Sequence, residues 1–432
     1  MGRVAALSFG GPAGQIAVMH RILVDEKRWI GERRFLHALN YCMLLPGPEA
    51  HQLAIYIGWL MNGTLGGLIA GGLFVLPGFV ALMALSLVYV TYGQLALVAG
   101  LFFGLKAAVL AIVVQAVARV GRRALKGRLP LAVAASAFLA LTLFRTPFPL
   151  VILAAAAIGL IAARLGWSPP AGHGGVRGGL ADADSLLGEA TLDVDRGGPL
   201  RAGLACLALW LVPVAALLLL PGGGGTFGDL AQFFSRMAVI TFGGAYAVLA
   251  YVAQQAVGHY GWLRPSEMVD GLGLAETTPG PLIIVNQFVG FLAAFRSPGA
   301  LPPLLAGVLG GALTSWVTFL PSFVWIFLGA PYAEALRGAK ALNAALAAIS
   351  SAVVGVILNL ALWFSLRVLF ADVQPVHTLG LSLDAPVLRS LNAPALALAL
   401  GAAMGLFVLK LGPIKVLAAC AAAGLLFRLL VL

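Results

Sequence analysis

The sequence predicts an all-α polytopic membrane protein built from two inverted-topology repeats, and three observations carry that prediction. Of the 432 residues, 61% are hydrophobic and 10% charged, against roughly 45–50% and 25% in soluble domains. Residues 50 to 105, 202 to 228, 297 to 333, 341 to 366 and 390 to 409 contain no Asp, Glu, Lys or Arg, and about 20 apolar residues suffice to cross a bilayer. A set of Gly/Pro motifs in the first 50 residues returns in the second half at one constant offset. Nine or ten full spans are expected, with broken or re-entrant helices at the motifs.

Taken in order, Met1 to Leu7 is too short for the apolar core of a signal peptide before Gly10 and Gly11 interrupt it, so the N-terminus is expected to be retained. Ser8-Phe9-Gly10-Gly11 forms the first motif, with Gln15 and His20 downstream. From His20 to Phe35 the chain carries five basic residues, Arg21, Lys27, Arg28, Arg33 and Arg34. A second basic cluster follows at Arg119, Arg122, Arg123, Lys126 and Arg128. Short basic loops beside apolar spans are cytoplasmic by the positive-inside rule, which makes the net charge of +11 an orienting device rather than a nucleic-acid footprint. Both clusters fall on one side only if the segment around Pro46-Gly47-Pro48 dips in and returns, or unwinds, instead of crossing.

Two prolines lack amide protons and clash with the preceding turn, and the glycine between them permits φ > 0, so no helix runs smoothly through Leu45 to Glu49. Gly66, Gly67, Gly71 and Gly72 in the next span read as helix-packing residues. Residues 1–164 form the first repeat. A polar Gly/Pro-rich linker, residues 165–203, follows and is expected to be cytoplasmic and partly disordered.

The second repeat occupies 204–432. Shifting by 233 positions superposes Ser8-Phe9-Gly10-Gly11 on Thr241-Phe242-Gly243-Gly244, Trp29 on Trp262, and Pro46-Gly47-Pro48 on Pro279-Gly280-Pro281. After an insertion of about 11 residues near Arg296 to Pro303, Leu76-Pro77-Gly78-Phe79 matches Leu320-Pro321-Ser322-Phe323, and Lys106 matches Lys340. The loop equivalent to the first basic cluster holds only Arg264. That asymmetry points to opposite orientations of the two repeats.

Broken backbone at membrane depth is tolerated where it is buried in protein or lines a wet cavity. Half-helix N-termini there present free N–H groups and a positive dipole end, which suits a small anion. The expected substrate-binding set is Ser8, Phe9, Gly10, Gly11, Gln15, Pro46, Gly47, Pro48, Gln52, Thr241, Phe242, Gly243, Gly244, Pro279, Gly280, Pro281 and Asn286, with Lys106 and Lys340 as cations. Proton-coupling candidates are Glu49, Glu276, His20 and His51, since ionisable groups inside a membrane default to functional roles. The bland alternatives are glycine packing, helix capping by the glutamates and snorkelling by the lysines.

Cys42, Cys206 and Cys420 lie scattered in apolar segments without metal-ligand spacing and read as small buried hydrophobes. No HExxH, Walker A or Rossmann fingerprint occurs, so neither an enzyme nor a cofactor or metal is expected.

Ser8-Phe9-Gly10-Gly11-Pro12, Gln15, His20, Trp29, Leu45-Pro46-Gly47-Pro48 and Gln52, with their second-half counterparts, resemble the chromate ion transporter family in its long two-domain form. The resemblance implies an inner-membrane secondary transporter that exports chromate and handles sulfate-like oxyanions. An anion-selective channel and a sulfate uptake transporter remain alternative readings. Expected partners are the oxyanion, the lipid bilayer and, in a homodimer, a second copy. The half-helix before Phe9 is expected to be short.

Overall fold

The computed structural model describes residues 1–8, 11–93, 95–167, 180–188, 197–242, 245–329, 340–378 and 381–431. It divides into two compact units, one of Met1–Ala84, Ala171–Ala245 and Thr278–Ala339, the other of Leu85–Pro170, Tyr246–Thr277 and Lys340–Leu432.

In the first unit, α1 (Gly2–Leu7) and α2 (Gly11–His20) meet at the Phe-Gly-Gly motif, and a π-helical turn (Arg21–Glu26) leads to α3 (Glu32–Cys42). α4 (Glu49–Tyr92) has 44 residues. A straight helix of that length would reach about 66 Å, twice the ~30 Å hydrocarbon layer. It does not run straight: Gly63 adopts φ +60° beside a non-helical Asn62, and the chain folds back. The proof is a contact. A Cβ placed on Gly58 would lie 2.5 Å from the Gly66 carbonyl oxygen, whereas residues eight apart in one helix are about 12 Å apart. Gly66, Gly67 and Gly71 are therefore packing glycines, the last two against Phe327 and Phe323, while Gly72 has nothing within 4 Å.

The remaining helices are α5 (Ala96–Ala124), α6 (Arg128–Phe144), α7 (Phe148–Arg164), α8 (Gly197–Leu219), α9 (Gly225–Ile240), α10 (Ala245–Ala253), α11 (Pro265–Thr277), α12 (Val285–Arg296), α13 (Pro303–Gly329), α14 (Lys340–Leu369), α15 (Ala393–Ala403) and α16 (Pro413–Val431). Of these, α8, α9, α12 and α13 belong to the first unit. α12 and α13 form a helical hairpin in which Gly290 and Gly310 abut, a Cβ on Gly310 falling 2.6 Å from the Gly290 carbonyl oxygen. This is the second-half counterpart of the folded α4. Its arms are joined by residues 297–302 rather than by a two-residue reversal, which is why the sequence alignment needs an insertion there.

The second unit packs α5 against α16, α15 and α11, and α14 against α5, α6 and α7. Close backbone approach again rests on glycine, with Gly104 against Cys420 and Gly355 against Ala134. A two-stranded antiparallel hairpin, β1 (Val373–Thr378) and β2 (Leu381–Pro386), is a small addition to an otherwise helical fold.

The elements of the two halves recur in register. The π-turn Arg21–Glu26 maps by 233 residues onto a π-turn at Gln254–His259, and the first residue of α3, Glu32, onto the first residue of α11, Pro265.

Among the described residues six helices are long and apolar enough to cross a membrane, Glu49–Tyr92, Ala96–Ala124, Gly197–Leu219, Pro303–Gly329, Ala341–Leu369 and Pro413–Leu430, and four shorter apolar helices join them. Their outer faces are apolar: along α4, Leu65, Ile69, Leu73, Leu76 and Val80 are all exposed. A stripe of that kind at three- and four-residue spacing faces lipid, not water. The chain is an integral membrane protein.

The linker differs from expectation in its middle. Residues 180–188 are docked on the first basic loop, where Glu32 N donates to Leu180 O (2.9 Å) and Leu186 N to Arg28 O (2.9 Å). Asp182 accepts from Arg33 Nε at 3.0 Å. One acidic side chain, Asp182, here meets the basic loop, and its charge-assisted bond with the backbone pairs holds a segment whose composition alone reads as flexible. The linker residues 168–179 and 189–196 lie outside the described residues. α8 starts at Gly197, with Pro199 in its first turn, where a missing amide proton costs nothing.

Candidate functional site

The two Pro-Gly-Pro turns of the first unit carry the site. α3 ends at Cys42 and α4 begins at Glu49, while α11 ends at Thr277 and α12 begins at Val285 after a short 3₁₀ turn. Gly47 sits at φ +119° and Gly280 at φ +103°, a region that a side chain makes costly. Each glycine then bonds across to the other repeat. Gly47 N donates to Thr241 O at 2.9 Å, and Gly280 N donates to Ser8 O at 3.0 Å. Under the 233-residue offset these are one interaction made twice with the partners exchanged. The other face repeats the exchange: a Cβ on Gly47 would lie 3.5 Å from Ser322 Oγ, and one on Gly280 would lie 3.5 Å from Gly78 Cα, Ser322 and Gly78 being equivalent positions.

Buried polar side chains surround the turns. Gln15 donates from Nε2 to Gly280 O (2.6 Å). Gln52 donates to Pro46 O (2.7 Å), holding its own turn. Asn286 reaches Met237 Sδ (3.6 Å) and Thr318 Oγ1 (3.5 Å), and Gln287 donates to Phe79 O (3.0 Å). Gln52 Oε1, Asn286 Oδ1, Gln287 Oε1 and Ser322 Oγ are buried without a hydrogen bond. Unmet capacity of that density is rare in a finished core, which makes this the candidate site. His51 is fully buried, boxed by Phe74, Phe319 and Phe323. Ser8 and Thr241 donate their hydroxyls to Val4 O (2.6 Å) and Met237 O (2.5 Å), each closing the last turn of its own helix.

Residues 1–160 and 228–425 match the chromate transporter family. The chain belongs to that family. It is 34% identical over 391 residues to the chromate transport protein of Pseudomonas aeruginosa, covering 90% of this chain and 84% of that one. With the chromate transport protein of Cupriavidus metallidurans it shares 26% identity over 358 residues, 82% of this chain and 78% of the other. The probable chromate transport protein of Synechococcus elongatus is 29% identical over 332 residues, 76% and 74%. No solved structure matches.

In this chromate transporter family member, Pro46, Gly47, Pro48, Gln52, Pro279, Gly280, Pro281, Asn286, Gln15, Ser8, Gly11 and Thr241 all fall within the first unit. Phe9, Gly10, Gly243 and Gly244 lie outside the described residues, and Phe242 closes the described segment before them. Glu49 is the first residue of α4, where a carboxylate faces the positive end of the helix dipole. His20 is half-exposed and bridges Glu32 (2.6 Å) and Asp25 (3.4 Å), tying the π-turn to α3.

Three candidates, Lys106, Glu276 and Lys340, belong to the second unit, and the first two have partners that the sequence did not announce. Lys106 pairs with Asp270 at 3.1 Å, and Tyr89 donates to the same carboxylate at 3.0 Å. Tyr246 donates to Glu276 at 2.8 Å. Lys340 opens α14, and its side chain lies outside the described residues. Asp270, Tyr89 and Tyr246 carry no motif, so only the fold identifies them. Ser322 was legible in principle, as the hydroxyl standing where the first repeat has Gly78.

Proposed function

We propose that this protein is a secondary transporter that exports chromate, and sulfate-like tetrahedral oxyanions with it, across a bacterial plasma membrane. Its repeats, residues 1–164 and 204–432, run in opposite orientations, and the oxyanion passes at the paired Pro-Gly-Pro turns. The observation that supports this most is the exchanged pair of hydrogen bonds, Gly47 to Thr241 and Gly280 to Ser8. It supports a single site because both Pro-Gly-Pro turns then adjoin buried neutral polar groups, Gln52, Asn286, Gln287 and Ser322, that have unmet hydrogen-bonding capacity. Neutral donors and helix ends hold a dianion without neutralising it, which keeps release easy. Glu49 and Glu276 are the proton carriers if export is coupled.

Energetics favour the outward direction. Moving one charge is worth roughly 2.3 kcal/mol per 100 mV, so a dianion leaving an inside-negative cell gains about 4.6 kcal/mol per 100 mV without ATP. The deciding experiment loads proteoliposomes with labelled chromate or sulfate and sets the potential with an ionophore. Export should slow when the potential collapses. Export indifferent to the potential would replace this account with electroneutral exchange. Orientation is read separately: a cysteine at Trp29 should be labelled from the cytoplasm only and one at Trp262 from outside only, and labelling of both from one side would eliminate inversion.

A further inference from the structure

The second unit contains a cavity of about 350 Å³, mostly apolar in its lining but with charged side chains on its wall, that none of the motif residues lines. Its charged wall is a triad. Arg145 Nη2 lies 3.0 Å from Asp384 Oδ1, and Arg367 Nη2 lies 3.5 Å from Asp384 Oδ2. Two guanidinium groups thus share one carboxylate, leaving an excess of one positive charge. Arg367 Nε is buried without a hydrogen bond, and its guanidinium stands 5.8 Å from the centre of the Trp363 ring. A buried guanidinium N–H with no acceptor is an incomplete fork, and that fork matches the oxygens of an oxyanion.

The backbone around the cavity is also out of the ordinary. Arg145 is a non-glycine residue at φ +48°, closing α6 in the left-handed region, and such strain persists where surroundings impose it. Gln254, another wall residue, opens the π-turn Gln254–His259, a helix form that recurs at functional sites. Asn359, two turns before Arg367 on α14, also lines the cavity and donates to Thr142 Oγ1 at 2.9 Å. The hairpin β1–β2 contributes Pro375, Leu383 and Asp384, so the same strand that covers the cavity carries the carboxylate that occupies its arginines.

We propose that this cavity is an oxyanion-binding site, with Arg367 and Arg145 as the binding residues and Asp384 as the internal competitor that a bound anion displaces. The proposal does not depend on the transport reading. The ligand's oxyanion group belongs either to a soluble ion or to the phosphate of an anionic lipid headgroup.

The test uses the full-length protein in nanodiscs and follows Trp363 fluorescence during titration with sodium sulfate, with sodium chloride of equal ionic strength as the control. In phosphatidylcholine nanodiscs a saturable change that disappears in Trp363→Phe is expected. Arg367→Gln should weaken it about tenfold or more, the loss of one charge-assisted contact. Asp384→Asn should tighten it, because the arginines are released. Where the signal is already saturated in phosphatidylglycerol nanodiscs and sulfate adds nothing, the occupant is a headgroup phosphate and the site stands. No saturable change in either lipid, a change that survives in Trp363→Phe, or Asp384→Asn weakening the response would overturn it, the last meaning that the triad only clips the hairpin down. A thermal melt of each variant separates loss of binding from loss of fold.

Discussion

The two Pro-Gly-Pro turns share one backbone and differ in what surrounds it. Gly47 faces side chains, Gln52 Nε2 and Ser322 Oγ, whereas Gly280 faces main chain, Gly78 and the Phe74 carbonyl. The residues that follow diverge in the same sense, Glu49-Ala50-His51-Gln52 after the first turn and Leu282-Ile283-Ile284-Val285 after the second. A duplicated scaffold has kept its hydrogen-bond geometry on both sides, while polar side chains begin at once after the first turn, at Glu49, His51 and Gln52, and only at Asn286 and Gln287 after the second. The first glycine is thereby lined by side chains and the second by close-packed main chain.

The largest expected effect tests what the turns have in common. Gly47→Val and Gly280→Val each force a β-branched residue to φ > 0 and should lower chromate efflux from proteoliposomes at least tenfold. If only one variant loses activity, the two turns are not equivalent even as scaffold. Next comes the contrast at the equivalent positions. A Cβ on Gly78 would lie 2.6 Å from the Pro279 carbonyl oxygen, so Gly78→Ser should destabilise the protein by about 1–3 kcal/mol, the cost of overpacking. Ser322→Ala removes a hydroxyl that makes no hydrogen bond and should leave the melting temperature within a degree or two while lowering efflux. Equal thermal loss in both would erase the distinction between a packed turn and a reactive one.

Smaller effects sharpen the comparison further. Gln15→Ala leaves the buried Gly280 carbonyl without its side-chain donor, a loss of about 1–3 kcal/mol in thermal or denaturant unfolding. Replacing Glu49 and Glu276 together with Gln should leave potential-driven export largely intact while removing any response to a pH gradient, measured with a pH jump across the liposome. Smallest of all, Gly72→Ala should change neither stability nor transport, since nothing lies within 4 Å of the added methyl. A marked loss there would mean that the outer face of α4 meets more than lipid.

Much of the fold was legible because membranes impose simple rules. Charge-free stretches announced spans, and the double prolines announced breaks that the structure places at Met43–Pro48 and Thr278–Pro281. Less visible was the reversal at Asn62-Gly63, since an uninterrupted apolar run looks like one long crossing and the glycine pattern permits either packing or a turn. The hairpin β1–β2 was hidden for a related reason: His377, Ser382 and Asp384 make a polar loop in composition, and only pairing across the strands turns it into structure.

By itself the sequence determined the class of molecule, its internal self-similarity and the location of the two Pro-Gly-Pro breaks, because hydropathy, proline and glycine act locally and over short range. It also placed the chain in a family, through motifs that recur at a fixed offset. Tertiary structure alone decided which groups meet. Gly47 and Thr241 are separated by almost two hundred positions, and no periodicity pairs them. Lys106 and Asp270, Glu276 and Tyr246, and the Arg145–Asp384–Arg367 triad are likewise fixed only when helices from different parts of the chain pack together. In a membrane the hydrophobic effect drives each span into lipid but does not choose its neighbour; glycine contacts and buried polar bonds make that choice, and both act at distances the sequence does not record.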